Sequence, residues 1–250
     1  MLRAVRALLP REDLVYLADQ ANVPYGDRSE DDLVRLLAQN VALLRAEGAE
    51  AVVMGCNTTC AVASKRGWPA GVPMLDLIAA AAGEVASSGR ARIGVLGTTA
   101  TIRAGAYGAA IRALAPHARV QEAAAPRLVP LVEAGLTEGD AARLAVREAL
   151  AAFTEPLDAL VYACSHYPLL DATFGELLGP GVARVDPAPA QARRAAAWAA
   201  ARPAAARAER GRTRYLTTGP LEPFRASLQT IVGVGEADSV AACSSGAALK

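Results

Sequence analysis

Runs of apolar residues alternate with longer helical patterns along this chain. The runs richest in Val, Leu and Ile predict strands at 14–18, 51–55, 93–97, 159–163 and 214–218. The longer segments between them predict helices at 30–48, 140–153 and 188–208. Short apolar strands that alternate with helices are typical of parallel sheets covered on both faces. The pattern therefore predicts an α/β fold.

The chain also repeats itself at long range. The motif "VRALLP" at 5–10 resembles "IRALAP" at 111–116. Each motif is followed by a strand, a proline turn, a helix and a second strand that ends on a cysteine. That cysteine is Cys56 in the first copy and Cys164 in the second. The repeat predicts two half-sites that face each other.

Composition and charge limit the kinds of partner. The 250 residues carry a net charge of +1 with basic and acidic residues interspersed, so the sequence shows neither a nucleic-acid-binding patch nor a membrane-binding face. The four cysteines are too scattered for a disulfide framework, and no signal peptide or membrane-length apolar run opens the sequence. We therefore expect a protein of the reducing cytoplasm with a small-molecule partner.

Cys56 and Cys164 are predicted at the carboxyl ends of parallel strands, where ligands bind and helix N-termini present free N–H groups. Such a position lowers the pKa of a thiol towards neutrality, and His166 lies close enough in sequence to assist Cys164. We therefore interpret the two thiols as acid–base groups. Two alternatives stay open: both cysteines are apolar core residues, or Cys56, Cys60, Cys164 and His166 bind a metal ion, although their spacing is not typical of zinc.

A series of motifs resembles the pattern of one enzyme family. The motifs are "ADQANVPYGDRS", "VVMGCNTTCAVA", "GVLGTTATIRAGAY", "LVPLVEAG", "LVYACSHYPLL", "VDPA" and "LTTGPLEPF". Any one of them is weak evidence, whereas their order along almost the whole chain is specific. On these motifs the chain resembles the glutamate racemases of the cofactor-independent aspartate/glutamate racemase superfamily.

The resemblance implies two pseudo-symmetric α/β domains, each a doubly wound parallel sheet, with the active site in the cleft between them. Residues 1–80 plus 187–250 would form the first domain and residues 81–186 the second. Each domain would place one cysteine on one side of the substrate α-carbon. Cys56 would take the proton from the D enantiomer and Cys164 from the L enantiomer, each serving as acid when the other serves as base.

The same resemblance assigns further residues to the site. The substrate-binding positions are Pro24, Tyr25, Gly26, Asn57, Thr58, Ser165 and His166. Of these, Tyr25 and Gly26 match the pair that contacts the substrate carboxylate region. His166 and Glu133 match further catalytic positions, Glu133 as a carboxylate that supports Cys164. The alternative for Glu133 is a solvated glutamate in a turn.

No cofactor and no metal ion are expected, since the family works with two thiols. A pyridoxal phosphate enzyme would need a lysine for its Schiff base. The candidates, Lys65 and Lys250, do not lie at predicted strand ends. The implied substrate is glutamate, whose D enantiomer would serve peptidoglycan synthesis. A homodimer stays open.

One part of the family pattern has no counterpart in this sequence. The second copy opens with a strand and polar turn, "IGVLGTTATIRAG" at 93–105, whereas the first opens on a helix. We therefore expect the family's opening strand, with its Asp-Ser-Gly turn, to be lost or to be encoded upstream of Met1. The alternatives to a glutamate racemase are an aspartate racemase or related superfamily member, and a homologue with weak catalysis.

Overall fold

A computed structural model describes residues 1–202, 210–233 and 238–243 and shows helices layered around parallel strands. The strands are β1 (Leu14–Ala18), β2 (Val52–Val53), β3 (Met74–Leu75), β4 (Arg92–Gly97), β5 (Arg119–Ala124), β6 (Ala159–Ala163), β7 (Ala183–Val185), β8 (Thr213–Thr217) and β9 (Ser239–Ala242). The α-helices are α1 (Leu2–Leu8), α2 (Glu30–Ala46), α3 (Asn57–Arg66), α4 (Leu77–Ser88), α5 (Thr99–Ala104), α6 (Ala106–Leu114), α7 (Leu128–Glu133), α8 (Gly139–Leu150), α9 (Asp171–Leu178), α10 (Pro187–Ala200) and α11 (Leu221–Ile231). Short 3₁₀ helices cover Gln20–Asn22 and Tyr167–Leu170. Every strand pairing in the described ranges is parallel, so the predicted α/β class is confirmed.

The second domain is built on one four-stranded sheet in the order β5-β4-β6-β7. Because successive residues of a strand point to opposite faces, β6 contributes to two separate cores. Leu160 and Tyr162 join a cluster with Leu128 of α7, Val146 of α8 and Phe174 of α9. The alternate residues of β6 join a second cluster with α4 and α6. Helices therefore cover both faces, as a doubly wound sheet requires.

The first domain has a divided sheet. Strands β1, β8 and β9 form one unit in the order β1-β8-β9, and among the described residues β2 pairs with β3 alone. In the repeat, β1, β2 and β3 correspond to β5, β6 and β7, so the counterpart of β4 would lie between β1 and β2. Within the described ranges no strand occupies that position. The difference between the two copies that the sequence predicts is therefore visible in the sheets.

The predicted elements agree with the structure to within a few residues, apart from two ends. The strand expected at 51–55 is limited to Val52–Val53, because the partner of β2 within the described ranges is β3, which is itself two residues long. The helix expected at 188–208 ends at Ala200, and residues 203–209 lie outside the described ranges. The strand that the repeat predicts after "IRALAP" is β5, although its polar residues gave it no bounds in the apolar pattern. The sequence pattern does not reveal β3, β7 and β9, which are two to four residues long.

Helices α4 and α10 begin at equivalent points, directly after β3 and β7. Each is preceded by an aspartate that caps its first turn: Asp76 accepts from the N–H of Ile78, and Asp186 from the N–H of Ala188. The two helices pack against each other, α4 also packs on α6, and α10 packs on α1. The chain thus passes between the domains through a packed helix pair. It does so close to the predicted domain limits, which stay predictions.

Candidate active site

Cys56 lies where the chain leaves β2 and enters α3. It is the N-cap residue of that helix, and its carbonyl accepts from the N–H of Cys60. Asn57, Thr58 and Thr59 form the first turn and are buried. The first N–H groups of a helix have no partner within the helix, so this end attracts anions. The Thr59 hydroxyl donates to the Cys56 carbonyl, so the free N–H groups and the Asn57 amide are what suit this turn to a carboxylate.

Cys164 lies at the equivalent end of β6 and is 6% exposed. The prediction that this position lowers the pKa of the thiol is wrong for Cys164, because burial raises its pKa to about 12. The backbone N–H groups of His166 and Tyr167 act in the opposite direction and do not compensate. The Cys164 thiol therefore stays protonated unless a positive charge or a proton acceptor lies beside it. Ser165, the next residue, is exposed.

A histidine and a glutamate form a line that leads away from Cys164. The Nδ1 atom of His166 lies 3.7 Å from the Cys164 Sγ, and its Nε2 atom lies 2.6 Å from the Glu133 Oε1. When Nε2 carries the ring proton and donates it in a hydrogen bond to the Glu133 carboxylate, the Nδ1 lone pair of the neutral ring faces the thiol. This line can accept the sulfur proton and stabilise the imidazolium that results.

The two cysteines of the strand ends influence each other. Negative charge on Cys56 contributes to the raised pKa of Cys164, and both are free thiols. Cys60 instead belongs to the core: it is fully buried, and its Sγ lies 3.0 Å from the Asp76 Oδ1. Within the described ranges no group of three or more His, Cys, Asp or Glu side chains is placed to hold a metal ion, so the metal alternative finds no support there.

Tyr25 belongs to a hydrogen-bonded group centred on Asp19, directly after β1. Asp19 accepts from the hydroxyl of Tyr25 and from the side chains of Asn22, Asn40 and Thr218. Burial raises the pKa of the Asp19 carboxyl, but these hydrogen bonds lower it by more, so the net shift is downward. Burial and the bond to Asp19 both raise the pKa of Tyr25. The phenol is thus a neutral donor to a carboxylate.

The loop of Pro24, Tyr25 and Gly26 lies against the second domain. The Gly26 carbonyl accepts from the N–H of Ala100 at 3.0 Å. A Cβ at Gly26 would lie 3.0 Å from the Thr98 Cβ, so a larger residue would have to push this loop away from the segment that contains Thr98. Pro24 is exposed, and the peptide bond before it is cis. Glycine therefore permits the close approach of the two domains.

Three buried threonines, which we call the threonine triangle, also join the domains. The Thr58 Oγ1 lies 3.0 Å from the Thr98 Oγ1 and 3.2 Å from the Thr101 Oγ1, and the last two are 2.9 Å apart. Thr98 follows β4 as the N-cap residue of α5, whereas Thr58 lies in the first turn of α3. The triangle thus connects the end of β2 in the first domain with the end of β4 in the second.

Four further residues of this region are not among the predicted site residues: Asp19, Thr98, Thr101 and Tyr107. Asp19, Thr98 and Thr101 carry the signal that marks the residues after Cys56, because each lies in a polar segment directly after a predicted strand. Tyr107 carries no such signal in its alanine-rich helix. Only the structure shows that its hydroxyl donates to a side chain of the other domain.

Comparison with known proteins places this geometry in a family. The Asp/Glu/Hydantoin racemase family matches residues 1–195. Glutamate racemase from Desulforudis audaxviator is 38% identical over 243 residues, which are 93% of this chain and 89% of that protein. Glutamate racemase from Gloeobacter violaceus is 41% identical over 194 residues, which are 75% of this chain and 71% of that protein.

A solved structure of a glutamate racemase is also similar to this protein. The crystal structure of glutamate racemase from Thermus thermophilus in complex with β-chloro-D-alanine has a TM-score of 0.81 and 33% sequence identity to this protein. The superposition covers 97% of this chain and 91% of that chain. With the match over residues 1–195 and relatives of this similarity along most of its length, the chain belongs to the Asp/Glu/Hydantoin racemase family.

Proposed function

We propose that the protein is a glutamate racemase that interconverts L- and D-glutamate by moving the α-proton between two thiols, without a cofactor. The observation that carries the proposal is the pair Cys56 and Cys164, which lie at equivalent strand ends of two related domains and interact electrostatically. Membership of the family supports racemisation, and the relatives named glutamate racemase support this substrate.

Two thiols on opposite sides of the α-carbon account for the reaction. For L-glutamate, the Cys164 thiolate takes the α-proton, and the electron pair of the C–H bond stays on the substrate as a carbanion. The Cys56 thiol then gives its proton to the opposite face, which yields D-glutamate. The protein is left with the two protonation states exchanged, and proton exchange with solvent restores the first. For D-glutamate the roles are reversed.

Ionisation of Cys164 is the demanding part of this cycle, because burial raises the pKa of the thiol to about 12. The α-ammonium group of a bound amino acid would bring positive charge to the thiol and lower that pKa. His166 would accept the proton through Nδ1, and Glu133, 2.6 Å from Nε2, would stabilise the charged ring. The substrate would thus help to create its own base.

Apart from Pro24, which has no N–H group, the proposed substrate-binding residues offer N–H or O–H donors for the two carboxylates of glutamate. They are Pro24, Tyr25, Gly26, Asn57, Thr58, Ser165 and His166. Asn57 and Thr58 belong to the first turn of α3, whose free N–H groups favour an anion. The loop of Tyr25 and Gly26 touches the second domain, so closure of the domains and binding of substrate would be coupled.

In the cell, the product D-glutamate would supply peptidoglycan synthesis. The free thiols suit a reducing compartment, and we propose the cytoplasm. In the described ranges, no helix combines the length and the apolar character needed to cross a membrane. A homodimer stays a prediction.

One observation favours a second candidate, a homologue with the same fold but weak catalysis. The position between β1 and β2 has no strand in the described ranges, and the resemblance implies that this strand and its turn supply an acidic residue and a serine to the site. The two candidates differ in rate and not in the chemistry of the two thiols, so a measured turnover number separates them.

The test is exchange of the substrate α-proton with solvent deuterium, followed by NMR, with circular dichroism to follow inversion. L-glutamate, D-glutamate and L-aspartate are incubated separately in D₂O with the full chain. We expect deuterium in the inverted enantiomer from either form of glutamate, and slower reaction of aspartate. Faster exchange of aspartate would replace glutamate as the substrate. Absence of exchange with all three would refute the racemase proposal.

Single cysteine variants test the two-thiol assignment. We expect Cys56→Ala and Cys164→Ala each to lower racemisation by at least about 10³-fold in both directions, because each thiol acts once in every turnover. Cys243→Ala, outside the proposed site, is the matched control and should keep normal activity. Near-normal turnover by either of the first two variants would show that the two-thiol assignment is wrong.

A further inference from the structure

Tyr107 is a fully buried tyrosine of the second domain that reaches a residue of the first. It lies on α6, and its hydroxyl donates to the Asn57 Oδ1. The two residues are 50 positions apart, so the bond depends on how α6 and α3 pack. A buried hydroxyl is unfavourable without a partner, and Asn57 is the partner that the structure provides.

This bond decides which end of the Asn57 amide is left for the cleft. An asparagine side chain has one accepting oxygen and one NH₂ group that donates. The oxygen is bonded to Tyr107, and no hydrogen bond of the NH₂ group to another described residue is found. Asn57 directly follows Cys56, so a donor there complements a substrate carboxylate. The opposite orientation would present an oxygen to that carboxylate and repel it.

Tyr107 keeps its proton over the ordinary pH range. Burial raises the pKa of the phenol well above its usual value, and the negative charge of the Asp76 carboxylate adds to the effect. A neutral phenol can donate to the amide oxygen, whereas a phenolate would accept from the NH₂ group and reverse the amide. Burial therefore keeps Tyr107 in its donating form.

We propose that Tyr107 is a positioning residue, whose hydroxyl holds the Asn57 amide with its NH₂ group towards the substrate. This inference rests on the proposed function, in which Asn57 binds the substrate. It adds a residue that acts through Asn57 and that belongs to the opposite domain. The amide is consequently oriented only while α6 and α3 are packed together.

The kinetic test uses Tyr107→Phe, which removes one hydroxyl and keeps the ring. We expect the KM for both enantiomers to rise about tenfold while kcat changes less than about threefold, because a contact made equally to bound substrate and transition state affects KM alone. Tyr162→Phe is the matched control, since that buried phenol donates to Asp171 at 2.8 Å, and its KM should not change. Equal effects of the two variants on KM would overturn the proposal.

A double variant separates positioning from a general effect on packing. With Asn57→Ala in place, Tyr107→Phe should raise KM no further, because no amide remains to be oriented. If the two changes instead multiply, Tyr107 acts independently of Asn57 and the proposal is wrong. Asn57→Asp adds an arm that leaves Tyr107 intact: its carboxylate accepts from the phenol but offers no NH₂ group. Its KM should exceed that of Asn57→Ala, and an equal or lower KM would contradict the orientation.

A readout without turnover distinguishes this inference from the proposed function. The side-chain NH₂ resonances of Asn57 are assigned by their absence in Asn57→Ala, then compared between the wild-type protein and Tyr107→Phe by ¹⁵N NMR. We expect them to shift and to exchange faster with solvent in Tyr107→Phe. Unchanged resonances would overturn the positioning role even in an active racemase. A wild-type protein inactive on glutamate would refute only the proposed function.

Discussion

Cys164 depends on two neighbouring side chains for its proposed chemistry. Its burial disfavours the thiolate, so the nearby acceptor His166 and the carboxylate behind it determine how readily the proton leaves. Glu133 is 58% exposed and His166 is 26% exposed in their side chains. Because Glu133 lies at the surface, its effect on chemistry can be separated from its effect on folding.

Replacing Glu133 by glutamine tests this line of residues. We expect Glu133→Gln to lower kcat/KM about 10- to 100-fold, a part of the effect that a general acid or base typically has. The loss must be equal in both directions, because the two enantiomers have the same free energy. If proton transfer at Cys164 becomes rate-limiting, the primary deuterium isotope effect increases for L-[2-²H]glutamate, whose deuteron Cys164 removes. It decreases for D-[2-²H]glutamate, whose deuteron Cys56 removes.

The measurement is the isotope effect on kcat/KM for each deuterated enantiomer. Glu138→Gln, at another exposed position close by in the chain, is the control and should behave as the wild type. An equal isotope effect for both enantiomers in Glu133→Gln would show that Glu133 does not act through Cys164.

Sequence alone could identify the residues that follow apolar strands, and these include both cysteines and Asn57. It could not identify Tyr107, because its partner depends on the packing of α6 against α3. It also predicted the wrong direction for the pKa of Cys164. Desolvation is set by the whole packed domain, whereas the helix N-terminus that favours the thiolate can be recognised locally.

At the scale of elements, long apolar strands were predictable and the shortest were not. β2 and β3 are two residues each, and contacts with neighbouring elements hold them in place. Gln191 of α10 is one such neighbour: its fully buried Nε2 donates to the carbonyls of Met54 and Leu75, at 3.2 and 2.5 Å. Its Oε1 is buried without a hydrogen-bond partner among the described residues. The side chain therefore connects α10 to the ends of both strands by hydrogen bonds.

Removing this amide should weaken the first domain. We expect Gln191→Met to lower the free energy of unfolding by about 1–3 kcal/mol, because the Met54 carbonyl loses the side-chain donor and the Leu75 carbonyl keeps only the N–H of Met54. Urea unfolding at equilibrium measures the change. Arg193→Met, on the same helix, removes an exposed ion pair with Glu84 and should cost less than about 1 kcal/mol. A Gln191→Met effect as small as that of the control would show that the amide bonds contribute little.

At the scale of the whole molecule, the two domains differ in how their sheets are closed. β4 is paired on both sides and is buried along all but its first residue. β1 pairs in the described ranges only with β8, and each of its five residues is partly exposed. The repeat was readable in the sequence because equivalent strands carry similar patterns. The first copy has no sequence pattern for a counterpart of β4. The first sheet is divided at the position that this counterpart would occupy.

Hydrogen exchange should report this difference. We expect backbone amides at 14–18 to exchange on the order of tenfold faster than those of 92–97, because local opening is easier at an unpaired edge. Mass spectrometry of peptic fragments measures both segments in one sample. The segment 213–217, paired on both sides, is the internal control and should be protected like β4. Equal protection of all three would show that the β1 edge is covered in solution.

The threonine triangle has a consequence of its own for the boundary between the domains. Three hydroxyls that touch pairwise can each give one proton and receive one, and the ring can run clockwise or anticlockwise. In either sense each hydroxyl donates one hydrogen bond within the triangle and accepts one, so reversal of one hydroxyl requires reversal of all three. The threonine triangle carries no charge, and its three O–H groups can adopt either sense of the ring. It can therefore realign towards an arriving donor or acceptor more cheaply than an ion pair, whose polarity is fixed.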